Sequence, residues 1–390
     1  MDELTRRDAL KVITVAGAAV ATGCTDTVRK PEAGGNSQVQ KVAAPPVSIE
    51  PVTYVEPLSA APAPWKTPNP FLFCVLHDDQ YPAGNERMGP NASLLGRNIG
   101  RDFEGKDGWS MYHGQSIPGF PEHPHRGFET VTFVRQGLMD HSDSLGATAR
   151  YGSGDVQWMT AGSGIQHSEM FPLLNRAGPN PINYFQIWLN LPKADKLTQP
   201  RFSMFWSPTV PRYSEQDSAG RLTEVTIVAG TLSGKKAPSP PPNSWAARSG
   251  TDVAIWLIKM APSAQWELPA APKGATRHLY FFKGPWLRIG GRDIPPSSRI
   301  ELRDGINALL VNGPAETEVL VLQGQPIQEP IARYGPFVMT TQEELQQAIA
   351  DYRATQFGGW PWSSVEPVHP REEGRFARHA DGRIDRPGPA

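Results

Sequence analysis

The sequence predicts an all-β protein in two successive β-rich blocks, followed by one short helix. Three observations point there. Proline and glycine are abundant, 40 and 37 of 390 residues, above ordinary usage and suited to many short strands joined by turns. Apolar residues alternate over short segments bounded by those residues. Helical spacing backed by a capping signal is found in one place, after Thr340.

In the first block, from Pro70 to Pro192, Glu129–Arg135 (ETVTFVR) alternates and is rich in β-branched and aromatic residues, so it reads as a strand. Asp155–Met159 and Tyr184–Leu191 read the same way, and Gly137, Gly146, Gly152 and Gly154 mark the turns between them. The second block, Leu222 to Leu322, has strand candidates at Val253–Met260, His278–Phe282, Asn307–Val311 and Glu318–Leu322. It also holds a Pro-rich segment, Ala237–Ser244, that reads as a surface loop. Beyond it Thr340 or Thr341 is placed to cap a helix carrying Leu345, Ile349 and Tyr352 on one face. From Gly358 onward the chain returns to Pro, Gly and Arg, as a wrapping or loose tail.

Net charge is −1, which gives no basic field for nucleic acid. Two cysteines, Cys24 and Cys74, rule out a disulfide framework or a four-thiolate zinc site. The N-terminus has the layout of an export signal: Arg6-Arg7, a short apolar run from Val12 to Ala21, then small residues ending at Cys24. The run is too short and too weakly apolar to span a membrane, which takes about 20 apolar residues. The arginine pair resembles a twin-arginine signal, with Ala9 where Phe is usual. Ala21-Thr22-Gly23-Cys24 resembles a lipobox, with Ala21 where Leu is commoner. Residues 25–68, rich in Pro, Ala, Gly, Ser and Val, read as a flexible tether.

Two segments carry chemistry: Phe120-Pro121-Glu122-His123-Pro124-His125-Arg126-Gly127 and Gly164-Ile165-Gln166-His167-Ser168-Glu169-Met170. In an extended strand residues i and i+2 share a face, so His123 pairs with His125 and His167 with Glu169. Two such pairs on facing strands of a small barrel would converge on one point. Three imidazoles and a carboxylate suit Fe(II), Mn, Ni, Cu or Zn and are too nitrogen-rich for Mg or Ca. Glu129 is in phase with both histidines and competes with Glu169 as the carboxylate. Arg126 and Gln186 are pocket-lining candidates. His113 and His141 read as solvated strand-end or loop residues, Trp158 and Trp188 as core.

HPHRGFETVTFV and GDVQWMTAGSGIQHSEM resemble the signature segments of the pirin family. The likeness continues in FQIWLNLP and YGPFVMTTQEELQQAIADYR, and so covers most of the chain from about residue 68 to 360. It implies a bicupin, two tandem jelly-roll β-barrels, with one mononuclear metal held in the N-terminal barrel by His123, His125, His167 and Glu169. On this reading 1–24 is the signal, 25–68 the linker, 69–200 the metal-binding cupin domain, 201–357 the C-terminal cupin domain with its helix over 341–353, and 358–390 the tail. The second barrel has one histidine before the tail, His278, and is expected to be structural. The stretch from His77 to Gln115 is longer and more polar than in most pirins, so the pocket entrance is expected to differ.

The resemblance implies an Fe(II)-dependent dioxygenase opening quercetin-like or related phenolic rings, with Glu169 as general base. Mn, Ni, Cu and Zn are the other candidate metals. The alternative is a non-catalytic, metal-containing redox-sensing or binding protein of the cell envelope. The expected partners are a small aromatic substrate and dioxygen, with no nucleic acid and with membrane contact only through a lipid anchor at Cys24. The protein is expected to be an exported monomer of the periplasm or envelope.

Overall fold

Alternating segments become strands wherever the sequence reads them so, and the computed structural model, which describes residues 50–388, arranges them in two β-barrels. β1 (Val52–Pro57) opens the described chain. The first barrel follows with β2 (Phe71–Tyr81), β3 (Gly119–His125), β4 (Phe128–Gln136), β5 (Leu138–Asp143), β6 (Thr148–Gly152), β7 (Asp155–Thr160), β8 (Ile165–Met170), β9 (Asn180–Asn190) and β10 (Arg201–Phe205). One of its sheets runs β10-β7-β4-β9-β2; the other runs β6-β5-β8-β3 and is extended at the β6 edge by two tail strands.

The second barrel has a seven-stranded sheet and a four-stranded sheet. Inside the larger, Ala254–Met260 lies between the central strand Thr317–Gly324 and Leu222–Ala229. Trp256 and Ile258 point into that barrel's core, while Ile255 and Leu257 point toward the first barrel. A strand buried on both faces reads as a continuous apolar run, and AIWLIKM does. Across the join, Val131, Phe133, Trp158 and Ile187 of the first barrel share one apolar cluster with Ile255, Leu257, Leu320 and Leu322. An ion pair between Arg135 and Glu318 crosses the same join.

Two expectations need correction, and of the two readings of the tail the wrapping one holds. The tether over 25–68 ends earlier than composition suggests. β1 pairs antiparallel with Ser298–Leu302 at the edge of the second barrel's sheet, and Trp65 is buried, stacked on Tyr280 at 5.4 Å. The tail wraps the first barrel: Phe376–Arg378 pairs with β6 and covers an edge that would otherwise be open. Arg150 fastens it, bonding Asp140 twice at 2.7 Å and donating to the carbonyls of His369, Pro370 and Glu373. The Pro-rich loop is not wholly on the surface, because Ser244 at its end is fully buried against Glu129. Both long excursions looked unstructured because their strands are short and their contacts distant in sequence.

The helix α1 (Gln342–Thr355) starts where expected, with Thr341 and Glu344 forming a reciprocal capping box. No helix among the described residues is long and apolar enough to cross a membrane. The signal reading of residues 1–24, Cys24 included, lies outside the described residues.

Candidate metal centre

β3 and β8 are neighbours in one sheet, paired antiparallel, not facing strands as the sequence reading supposed. His123 stands directly across from His167, and His125 across from Ile165. Residues opposite one another in such a pair point to the same side, so the imidazoles meet without a second sheet. Ring centroids are 4.8 Å apart for His123 and His125, 4.5 Å for His123 and His167, and 4.9 Å for His125 and His167. One nitrogen from each lies within 4.8 Å of the others.

A register shift between Phe120 and His123 sets two residues, Pro121 and Glu122, against one on β8. This bulge turns both Phe120 and His123 inward and Phe120 opposite Glu169. His123 Nδ1 donates to the Pro121 carbonyl at 2.8 Å, which leaves Nε2 with its lone pair. His167 is fully buried and neither of its ring nitrogens has a hydrogen-bond partner. Burial pushes His123 down to about 4 and His125 and His167 well below the ordinary histidine range, so all three are neutral at pH 7.

Glu169 follows His167 on the same face of β8. Its Oε2 is 4.0 Å from His167 Nε2, beside the three imidazoles rather than among them. The opposite sheet orients it: Gln186 of β9 donates to Oε2 at 2.7 Å and Thr132 of β4 to Oε1 at 3.2 Å. Burial pushes the carboxyl up to about 7, against the pull of His141 and of these two donors.

Glu129 goes elsewhere. Its carboxylate accepts from Thr160 at 2.7 Å and from Ser244 of the second barrel at 2.5 Å. The in-phase argument fails at Gly127, which has φ +85° and lies so close to Val338 that a Cβ would come within 2.0 Å of its carbonyl oxygen. The chain changes sheet there, and the alternation carried through His123 and His125 is reset.

Gln186 lines the site, as expected, but Arg126 does not reach into it. Its guanidinium bonds Asp351 on α1 at 2.6 Å and lies over the Phe357 ring. Trp158 is core, while Trp188 is also a wall of the site, edge-on to His125 at 5.4 Å.

His141 is the largest correction. It is fully buried on β5, across from Glu169 in register, 5.5 Å from the His167 ring, with Nε2 bonded to Asp143 at 3.2 Å. The alternation of His141 and Asp143 in LMDHSD was the available signal. His113 is half-buried rather than solvated. In the second barrel His278 is taken up by Arg299, at 2.9 Å.

Two barrels with buried histidines gathered in the N-terminal one define the class, a bicupin with a metal-type site. A model of the family described as pirin matches residues 100–189, and one described as the pirin C-terminal cupin domain matches residues 255–358. Human pirin is 33% identical over 67% of this chain and 87% of its own. A Pseudomonas aeruginosa protein provisionally named a quercetin 2,3-dioxygenase is 37% identical over 62% of this chain and 80% of its own. The crystal structure of quercetin 2,3-dioxygenase from Acinetobacter baumannii superposes with a TM-score of 0.59 at 26% identity, covering 80% of this chain and 96% of that one. This chain belongs to the pirin family.

Proposed function

We propose that this protein is a metal-dependent dioxygenase that opens a flavonol or related phenolic ring, with one first-row transition metal ion, Fe(II) first among them, held by His123, His125, His167 and Glu169. The observation that carries the reading is the inward cluster of three neutral imidazoles, one of which, His167, is wholly buried with both nitrogens unpartnered. A buried polar ring without partners is costly, and such groups in native proteins point to a missing ligand. The donor set of imidazoles with an adjacent carboxylate fits Fe(II), Mn, Ni, Cu or Zn. The names of the Pseudomonas and Acinetobacter relatives support the reaction class.

Bound there, the ion would supply a Lewis-acidic centre for a phenolic hydroxyl and an open position for dioxygen. The protein's own part is positioning and proton transfer. The Glu169 carboxyl is aimed by Gln186 and Thr132 and is the group placed to take the proton of an entering hydroxyl. Phe128 and Trp188 pack against the His125 ring and hold it in place. Burial of His125, His167 and Glu169 keeps water from all but the His123 side of the site.

The test is oxygen uptake by purified, Fe(II)-loaded protein across a panel of flavonols and simpler phenols. Uptake matched to ring-opened product, and absent in His167→Ala, is the expected result. Stoichiometric metal with no uptake on any phenol would replace the enzyme by a metal-containing binding protein. The signal reading of residues 1–24 adds that the protein works in the cell envelope, tethered at Cys24. Fractionation of Cys24→Ser, expected to turn soluble, tests that part.

A further inference from the structure

The segment between β2 and β3, residues 82–118, whose sequence reads as an insertion, is anchored from within. The Arg97 side chain is fully buried, pairs with Asp102 at 3.0 Å, donates to the carbonyls of Trp109 and Lys106 at 2.8 and 2.6 Å, and lies 3.3 Å over the Trp109 ring. The Tyr112 hydroxyl donates to Asp79 at 2.8 Å and lies 2.8 Å from His77 Nδ1, and its ring stacks on Phe120 at 5.2 Å. An insertion held this way presents a preformed surface.

What it presents is aromatic and continuous with the metal centre. Phe120, turned inward by the β3 bulge, is 6.4 Å from the His123 ring. His113 is 5.8 Å from Phe120, and Phe103 is 5.0 Å from His113 and 38% exposed. Rings thus lead from solvent to His123, the partly exposed member of the triad. One polar atom on this path lacks a partner. His113 Nδ1 lies 2.7 Å from the Gly100 carbonyl, which can only accept, so Nδ1 carries the hydrogen. Nε2 is left as an acceptor, buried and without a partner.

We propose that Phe103, His113 and Phe120 form a second-ring subsite: they receive the part of a planar polyphenol remote from the histidine triad, and His113 Nε2 accepts a hydrogen bond from a hydroxyl on that ring. This rests on the phenolic-substrate reading and narrows it, because a single-ring phenol would leave both the rings and the acceptor unused. His113 is a specificity-determining residue on this account, and the insertion is what tunes the chain to its substrate.

The experiment titrates metal-loaded full-length protein with quercetin and with galangin, the flavonol that lacks hydroxyls on the second ring, following ligand absorbance without oxygen. The wild type is expected to prefer quercetin roughly five- to tenfold in Kd, the yield of one hydrogen bond. His113→Phe keeps the aromatic wall, removes the acceptor and is expected to erase the preference with metal content unchanged. His113→Gln restores an acceptor and part of the preference. Phe103→Ala, at an exposed ring, weakens both flavonols together. A wild-type protein that binds both flavonols equally, a preference that survives in His113→Phe, or unchanged affinities in Phe103→Ala would each overturn the subsite. A stoichiometrically metal-loaded wild type that binds neither flavonol would instead overturn the flavonol reading on which the subsite stands.

Discussion

On the inward face of the first barrel, β8 carries Ile165, His167 and Glu169, and its neighbours add His123, His125 and His141. On the inward face of the second barrel the central strands carry Trp256, Ile258, Leu279, Phe281, Val319 and Val321. The folds are alike, but in one barrel the strand interior is a core and in the other it is a site. A barrel that buries imidazoles and a carboxyl gives up apolar contact and holds polar groups that gain little from folding. Its stabilisation comes in part from elsewhere: the tail strapped by Arg150, the helix capped at Thr341, and the apolar join to the second barrel.

The sharpest way to break this contrast is a pair of substitutions, one per barrel. His167→Ala should abolish metal binding by elemental analysis and remove the rise in Tm that metal gives the wild type, while the metal-free protein stays folded. Ile258→Ala should do the reverse, keeping full metal content while losing about 2–5 kcal/mol of stability in denaturant titration. Full occupancy in His167→Ala would end the metal-centre assignment.

Arg150→Met tests the strap. It leaves Asp140 buried without its cation, a loss of about 3–5 kcal/mol, and should open the tail to limited proteolysis between residues 360 and 388. A tail as resistant as the wild type's would mean that strand pairing alone holds it.

The two glutamates separate next. Glu169→Gln should lose much of the metal, and Glu129→Gln should keep it; the opposite ranking would put the carboxylate ligand on β4. They also predict a pH dependence. Burial pushes Glu129, Glu169 and Asp79 up to about 7 in the folded state. At these three groups the folded form therefore binds more protons than the unfolded one between roughly pH 4 and 7. The contribution of these three groups to the stability of the metal-free protein should fall as pH rises through that window, while the buried histidines His77, His123, His125, His167 and His278, held neutral by burial, contribute the opposite slope. The stability of the wild type relative to Glu129→Gln should therefore fall as pH rises from 4.5 to 7 and level off above, measured as denaturation midpoints from pH 4.5 to 8. The smallest effect is Thr341→Ala, which removes the helix cap and should cost about 1 kcal/mol without changing metal content.

Much of this was legible because the relevant signals are local. β4, β7 and the central strands of the second barrel follow from alternation, and α1 from its capping box, since both depend on neighbours within a few residues. His123, His125, His167 and Glu169 were legible as two i, i+2 pairs, together with the resemblance their segments carry. The sequence could not show that β3 and β8 lie side by side, that Gly127 turns Glu129 toward Ser244, or that a bulge points Phe120 inward. It also missed β1's place in the second barrel and the tail strand on the first, and it left His141 and His113 looking solvated. These depend on which strands pair, and pairing is settled by contacts between residues tens to hundreds of positions apart. Periodicity states that a residue has an inside face; only the tertiary structure decides what that face meets.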